Sequence, residues 1–273
     1  KIRKQVLRKE ELLAEASSNM LQSTVGNNLY YTFDIFIDAD IANMISKLNE
    51  KYASLGKNYF IRQCIKTGDD KKYVTNSAEI LPDPWKPSLR GRSIGRYSIE
   101  EKDIYVKYGP WLARNWKNIT FYETPKIAIR ETGKRIVATK DLENRYFLSS
   151  LYAIYPKETG EETSLSYILG ILNSQFATFF MKVIALNLTK GVFTKVRTNQ
   201  LARLPIPEID FSNPADVICH SQMVSLVEKM LDLHKQLDFS MTEHEKTMLS
   251  RQIEVTDRQI DALVYELYGL TEE

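Results

Sequence analysis

The sequence has little cysteine and lacks any long hydrophobic run. Its 273 residues include only Cys64 and Cys219, which lie far apart, and no secretory leader is visible. We therefore expect free thiols in a reducing compartment, which predicts a cytoplasmic protein. Apolar stretches are interrupted before they reach the length of a bilayer span, which excludes a transmembrane protein. The first residue, Lys1, is not methionine, so we expect a fragment of a longer protein.

The common catalytic motifs are also missing. The sequence has no glycine-rich phosphate loop, no Cys-x-x-Cys pair, no His-Glu-x-x-His motif and no Gly-x-Ser-x-Gly elbow. Its three histidines, His220, His234 and His244, fall in the acidic C-terminal part without metal-ligand spacing, so we expect helix-surface residues. The sequence therefore predicts neither catalytic residues nor a metal site.

One enzymatic alternative is a magnesium-dependent nuclease. Asp83, followed at a distance by Glu100 and Lys102, fits a loose pattern in which carboxylates hold the metal and a lysine positions water. Such a site needs its second half on a strand beside the first. The residues around Glu100 instead predict a turn or the start of a helix, which disfavours the nuclease.

Charge is distributed unevenly along the chain. Residues 86–145 hold 14 basic against 7 acidic side chains, and residues 181–206 hold five basic and no acidic ones. Residues 207–273 hold 5 basic against 14 acidic side chains. A middle that attracts polyanions is therefore followed by an end that repels them.

Local patterns predict the architecture. Short β-branched and aromatic runs occur one after another between turn signals, without regular alternation with helices, which predicts a mixed, largely antiparallel sheet. Residues 164–185 are apolar around most of the circumference and predict one buried helix. In residues 208–273, two amphipathic patterns ending at Gly269 predict a helical hairpin. The fold class is therefore α/β.

The N-terminal part predicts three further elements. Residues 1–18 have roughly helical apolar spacing, and we assign residues 1–25 to a connector helix. Residues 29–37 predict a strand, and the helix after it has Asp38 or Asp40 as its expected N-cap.

Two cation-rich segments predict a binding surface. Between Lys86 and Trp111, arginines that suit phosphates and guanine edges alternate with aromatic residues that can stack on bases. The acid-free residues 186–205 add cations, hydroxyls and amides. If both segments line one groove, the expected partner is double-stranded DNA. The side chains predicted to contact DNA are Arg90, Arg92, Arg96, Lys107, Lys190, Lys195, Arg197 and Arg203.

Two alternatives to this DNA interface stay open. The cations can belong to an ordinary solvated surface, with the neighbouring aromatic side chains in the core. The acidic hairpin can also be the functional part, in which case the chain is a protein-interaction module that assembles with another chain.

Six segments, taken in order, resemble a known family. They are CIKTGDDKKYV, PSLRGRSIGRY, TPKIAIRETG, YILGILNSQFATFF, LARLPIPEI and DALVYELYGLTEE. The set is similar to the TaqI-like C-terminal specificity domain of adenine-specific DNA methyltransferases and fused type II restriction-modification enzymes. The resemblance spans Ile61 to Glu273. It implies that residues 26–207 are a target recognition domain, followed by the hairpin at residues 208–273.

The resemblance also implies a division of labour. An upstream methyltransferase domain of the same chain would bind S-adenosylmethionine and modify an adenine that this module presents to it. The family's catalytic Asn-Pro-Pro-aromatic motif is absent, because Asn213-Pro214 is followed by Ala215 and Asp216. The expectation is a fragment that recognises DNA, binds no cofactor and does not catalyse. A related alternative is the specificity subunit of a multisubunit restriction complex.

The resemblance assigns mainly architectural roles to individual residues. Gly68 would turn a strand pair, and Asn173 with Ser174 would end a turn of the buried helix. Residues 204–207 would lead from the recognition domain to the hairpin. Arg90, Gly91 and Arg92 match the family's Arg-Gly segment, which is either a DNA contact or a structural turn.

Overall fold

The computed structural model describes residues 39–157, 164–184 and 195–270. The predicted connector helix and the strand predicted at residues 29–37 lie outside these residues, so both stay predictions. The chain divides into two compact units, residues 1–51 and 52–273. In the first unit, the described part is helix α1, Ala39–Lys51, which has Asp40 in its first turn. Asp40 is therefore inside the helix and is not its N-cap.

The second unit contains an antiparallel four-stranded sheet. Its strands are β2 Tyr59–Gln63, β8 Lys126–Arg130, β9 Ala138–Asp141 and β11 Leu151–Pro156. They lie in the order β2, β11, β8, β9, and Ala153 of the central strand β11 pairs with Arg62 on one side and Ala128 on the other. All three pairings are antiparallel, so β2 and β9 are the edges.

A second four-stranded sheet makes the arrangement mixed. Its strands are β3 Val74–Asn76, β4 Trp85–Leu89, β7 Ile104–Lys107 and β10 Tyr146–Phe147. They lie in the order β10, β4, β7, β3, with β10 parallel to β4 and the other pairs antiparallel. The predicted mixed, largely antiparallel sheet region is confirmed.

Short elements complete this region. Two antiparallel strand pairs are β1 Ala53–Ser54 with β12 Pro205–Ile206, and β5 Ile94–Gly95 with β6 Ser98–Ile99. Three one-turn α-helices are α2 Leu55–Asn58, α3 Asp70–Tyr73 and α6 Thr198–Leu201, and two 3₁₀ turns are Gly91–Ser93 and Ile119–Phe121.

One apolar cluster joins the two sheets. Leu89 and Phe147 from the second sheet are fully buried against Ala128 and Leu151 from the first. Full burial of a large apolar side chain contributes about 1.5–3 kcal/mol. The sheets therefore share a core, which fixes the loops that leave their ends.

A buried ion triad lies at the end of strand β9. Asp141 is fully buried and accepts hydrogen bonds from Lys126 Nζ at 3.1 Å and from an Arg145 guanidinium nitrogen at 3.0 Å. Lys126 also donates to the carbonyl of Tyr122 at 2.6 Å. Burial lowers the pKa of Lys126, and the charge of Asp141 opposes that effect.

The buried helix predicted for residues 164–185 is two helices. They are α4 Leu165–Asn173 and α5 Gln175–Ile184, bent by 66°. The Asn173 amide donates to the carbonyl of Ala138 and accepts from its N–H, both at 3.0 Å. Gln175 donates through its backbone N–H to Asp261 at 2.8 Å. Contacts with strand β9 and the C-terminal helix thus fix the bend, and Asn173 and Ser174 end α4 as expected.

In the described part of the chain, no single helix has the length and apolarity to cross a membrane. Helices α4 and α5 meet that requirement only as a bent pair.

The predicted C-terminal hairpin is confirmed. It consists of α7 Pro214–Phe239 and α8 Glu243–Tyr268, which pack against each other. Thr242 and Glu245 form a capping box at the start of α8, and Gly269 ends it with a left-handed backbone, at φ 66°.

Candidate nucleic-acid interface

The Arg-Gly segment is tied to the first sheet through Gly91. The Gly91 N–H donates to Ser150 Oγ at 2.8 Å, and Arg130 Nε donates to the Gly91 carbonyl at 2.7 Å. A Cβ atom at Gly91 would meet the Ser150 carbonyl oxygen at 3.2 Å, tighter than usual van der Waals contact. Only glycine allows this close approach without displacement, so Gly91 has a structural role.

The two arginines beside Gly91 share one carboxylate. Glu101 accepts from Arg90 at 2.7 and 3.2 Å and from Arg92 Nε at 3.4 Å. The Arg90 guanidinium beside Glu101 lowers the pKa of that carboxyl to about 2. Glu101 is therefore ionised at neutral pH and competes with any phosphate for both arginines. The Arg92 side chain is 69% exposed, against 23% for Arg90.

The second basic segment is fastened to Glu131. Lys195 Nζ forms an ion pair with Glu131 Oε1 at 2.8 Å, and the Val196 N–H donates to the Glu131 carbonyl at 2.9 Å. Tyr152 donates to the Glu131 carboxylate at 2.9 Å and to the Val196 carbonyl at 2.8 Å. The segment is thereby held beside the end of strand β8.

Ser150 and Glu131 link the two basic segments. Ser150 accepts from Gly91 through its hydroxyl and from the Glu131 N–H through its carbonyl, the latter at 3.0 Å. Glu131 in turn accepts from Val196. Three hydrogen bonds therefore lead from the Arg-Gly segment to residues 195–197, although about a hundred residues separate them in the sequence.

Two of the remaining predicted contact residues, Arg197 and Arg203, are exposed and take no part in these three hydrogen bonds. Arg197 and Arg203 lie at either side of helix α6, and no ion pair of theirs occurs within residues 39–157, 164–184 and 195–270. Lys107 is half-buried, with its ammonium 6.0 Å from the ring of Trp85 and 5.8 Å from that of Trp111. Lys190 lies outside the described residues.

Arg96 is placed differently from the other predicted contact residues. Its guanidinium donates to both carboxylate oxygens of Asp257 in helix α8, at 2.5 and 2.8 Å, and to the carbonyl of Asn173 at 2.8 Å. The Arg96 side chain is only 17% exposed. This bidentate pair connects the β5–β6 ribbon with the hairpin, so both terminal nitrogens of the guanidinium are committed within the protein, while the buried Nε has no hydrogen-bond partner among the described residues.

The carboxylates of the nuclease alternative are not gathered into a metal site. Asp83 forms an ion pair with Lys86 at 2.9 Å, and Glu100 follows strand β6. Within the described ranges, no three His, Cys, Asp or Glu side chains are grouped to hold a metal ion.

The predicted surface position of the histidines holds for exposed His244, whereas half-buried His234 stacks on Tyr97 with ring centroids 6.3 Å apart.

Sequence reasoning missed Arg130 as an organiser of this surface. It donates to the carbonyls of Gly91 and Ile94, and it follows Ile129 on strand β8. The alternation of Ile127 and Ile129 gave a signal, because it places Lys126 and Arg130 together on the opposite face.

The described residues define an α/β module with two linked sheets, a C-terminal helical hairpin and a cation-rich surface. Residues 86–206 match the family model of the TaqI-like C-terminal specificity domain. The resemblance seen in the sequence motifs is thus confirmed, and it falls on the segment that contains both basic stretches.

One sequence relative and one solved structure are similar to this chain. Over 119 residues, or 44% of its length, the chain is 29% identical to the type II restriction enzyme and methyltransferase RM.Eco57I of Escherichia coli. The type IIL restriction-modification enzyme MmeI, solved in complex with DNA, matches 81% of the chain with a TM-score of 0.54 and 12% identity, which shows the fold. The chain spans 12% of the first protein and 34% of the second.

Proposed function

We propose that this chain is a sequence-specific recognition module for double-stranded DNA in a restriction-modification enzyme with adenine methyltransferase or endonuclease activity. The observation that carries the proposal is the hydrogen-bonded link between the two basic segments, because it places Arg92 and Arg197 on neighbouring loops. The specificity-domain match over both segments supports the same function.

The proposal extends to the rest of the protein. A methyltransferase domain of the same chain would bind S-adenosylmethionine and receive the target adenine, in a cytoplasmic enzyme. The support is the E. coli relative, which combines restriction and methylation. The described module would position the duplex and supply no catalytic group.

The predicted contact cations differ in whether they must break an ion pair within the protein before they bind DNA. Lys107, Arg197 and Arg203 are available for phosphates or base edges without first breaking an ion pair between described residues, whereas exposed Arg92 would have to leave its 3.4 Å ion pair with Glu101. Arg90 and Lys195 would have to exchange Glu101 and Glu131 for DNA. Arg96 would first have to leave its ion pair with Asp257, and the contact predicted for Lys190 stays a prediction.

Binding to random-sequence duplex should depend steeply on salt. Four phosphate contacts give a slope of log K against log salt of about −3.6, so affinity should fall roughly a hundred-fold between 50 and 200 mM salt. Fluorescence anisotropy of a labelled 20-base-pair duplex measures this. The double variant Arg197→Ala/Arg203→Ala should reduce the slope by about two. The matched control is Arg258→Ala, an exposed arginine on α8.

Salt-insensitive affinity would contradict the proposed interface. Sequence recognition needs a separate measurement, namely selection from a randomised duplex pool followed by sequencing. If the pool is still random after selection, the chain binds DNA without sequence preference, and the proposed sequence recognition is wrong.

Glu101→Gln should strengthen binding to duplex DNA. The substitution removes the charge that now holds Arg90 and Arg92, while the amide keeps the shape and one acceptor oxygen. We expect several-fold tighter binding and a steeper salt slope, by up to about two phosphates. Glu254→Gln, an exposed change on α8, is the control. Unchanged affinity with an intact fold would show that Arg90 and Arg92 do not contact DNA.

A further inference from the structure

A cleft of about 390 Å³ lies between the edge strand β2 and helix α6. Its walls include Phe60 and Arg62 from β2, Lys157 after β11, and Thr198 and Asn199 from α6. None of its lining residues is acidic. Its volume lies in the range of sites for small ligands, roughly 300–1,000 Å³, and suits a single nucleotide unit.

The floor of the cleft is a close backbone contact. The Gly56 N–H donates to the Ala202 carbonyl at 2.9 Å. A Cβ atom on Gly56 would lie 2.8 Å from the Ala202 Cβ, a distance that real Cβ contacts do not show. Glycine therefore allows helix α2 to approach Ala202, the residue that follows α6, and both residues line the cleft.

Arg62 is held in position by aromatic rings. Its guanidinium carbon lies 4.7 Å from the ring centroid of Phe60, 5.0 Å from that of Trp116 and 5.6 Å from that of Phe121. Its Nε is buried and has no hydrogen-bond partner in the described part of the protein. Cation–π contacts fix the plane of the guanidinium without neutralising its charge. Arg62 is thus pre-organised, and among the described residues no carboxylate forms an ion pair with it.

Lys157 supplies a second cation at the same cleft. Its Nζ donates to the Gly56 carbonyl at 2.6 Å and lies 5.7 Å from the Phe60 ring centroid. These partners are neutral, and Lys157 forms no ion pair with a residue in the described ranges. The carboxylate of Glu208 nearby is paired with Lys57 at 3.3 Å.

The cleft continues the predicted DNA surface. Arg197 directly precedes the lining residues Thr198 and Asn199, and Val196 is bound to Glu131 in the link described above. A DNA strand that follows Arg197 would therefore reach Arg62 and Lys157 next. A hydroxyl and an amide beside two cations form a donor set for phosphate oxygens.

We infer that this cleft binds the phosphate and sugar of one nucleotide of the DNA backbone, with Arg62 and Lys157 as the phosphate ligands and Asn199 as a neutral donor. The inference rests on the proposed function and adds to it a contact outside the predicted set. The contact fixes the position of the strand and does not identify a base.

Substitution of the two cations tests the cleft. Arg62→Met and Lys157→Met should each weaken binding to a random 20-base-pair duplex, roughly threefold or more at 100 mM salt, and reduce the salt slope by about one. In the double variant Arg62→Met/Lys157→Met, the salt slope should be reduced by about two. Lys229→Met, an exposed lysine on α7, is the matched control and should leave the slope unchanged.

Further variants separate binding from packing. Arg62 contacts three aromatic rings, so its variant is accompanied by thermal unfolding, and Arg62→Lys should restore part of the slope. Lys157→Met and Asn199→Ala change exposed side chains and test the cleft if Arg62→Met unfolds. If both variants bind duplex with wild-type affinity and Lys157→Met keeps the wild-type salt slope, the cleft does not bind the DNA backbone, and the proposed function is unaffected. Absence of wild-type duplex binding would overturn both.

Discussion

Asp141→Ala should lower the free energy of unfolding by about 4 kcal/mol, because breaking a buried ion pair by removing one partner costs about 3–5 kcal/mol. Lys126 and Arg145 are 1% and 7% exposed and share this carboxylate, so the variant leaves Lys126 without a counter-ion and Arg145 with only the exposed Glu143. Urea denaturation followed by circular dichroism measures the loss. Asp141→Asn should lose less, because the amide oxygen still accepts a hydrogen bond.

The neighbouring acid Glu143 provides the control for this prediction. It also pairs with Arg145, but its side chain is 73% exposed. Exposed ion pairs contribute about 0–1 kcal/mol, so Glu143→Ala should change the unfolding midpoint little. Equal midpoints for Asp141→Ala and the wild type would show that the triad does not stabilise the sheet.

Arg96→Met should destabilise the protein by about 3 kcal/mol, because it removes the bidentate partner of the Asp257 carboxylate and leaves the Asn173 carbonyl with only the 3.5 Å contact from Arg135. The methionine keeps much of the packing volume. Thermal and urea unfolding measure the effect. At the same concentration of folded protein, duplex binding should be close to that of the wild type, because the guanidinium is committed to α8.

Arg92→Met is the matched variant for this second prediction. Arg92 is exposed and makes only a long contact with Glu101, so the substitution should weaken duplex binding without a large change in stability. The opposite pattern, in which Arg96→Met stays stable but loses DNA affinity, would restore the DNA contact that the sequence predicted for Arg96.

The fold class was accessible from the sequence because its signals are local. Turn residues between short β-branched runs predicted the sheets, and helical spacing ending at Gly269 predicted the hairpin. The 66° bend between α4 and α5 was not accessible, because it depends on Ala138 and Asp261, which are distant in the sequence. The short helix α3 within this strand-rich region was not predicted; the Asp69 side chain caps it by accepting from the Lys72 N–H.

The candidate interface shows the same division. Counting charges located the two basic segments, and their residue types suggested DNA. The count could not show that Glu101 and Glu131 take up part of that charge, since these ion pairs depend on folding. Arg62 was overlooked because it is the only cation on β2, and two of the three aromatic rings that position it, Trp116 and Phe121, come from distant parts of the chain.

The joint around Asn173 and Arg96 has a mechanical consequence. The sheet and α8 meet there through Ala138 and Asp257, whereas α8 extends about 20 Å further toward its first residue, Glu243. A small rotation of α8 about these contacts would therefore produce a larger displacement at the turn of the hairpin, near Glu243. The position of any domain that binds this turn would then depend on the hydrogen bonds of Arg96 and Asn173.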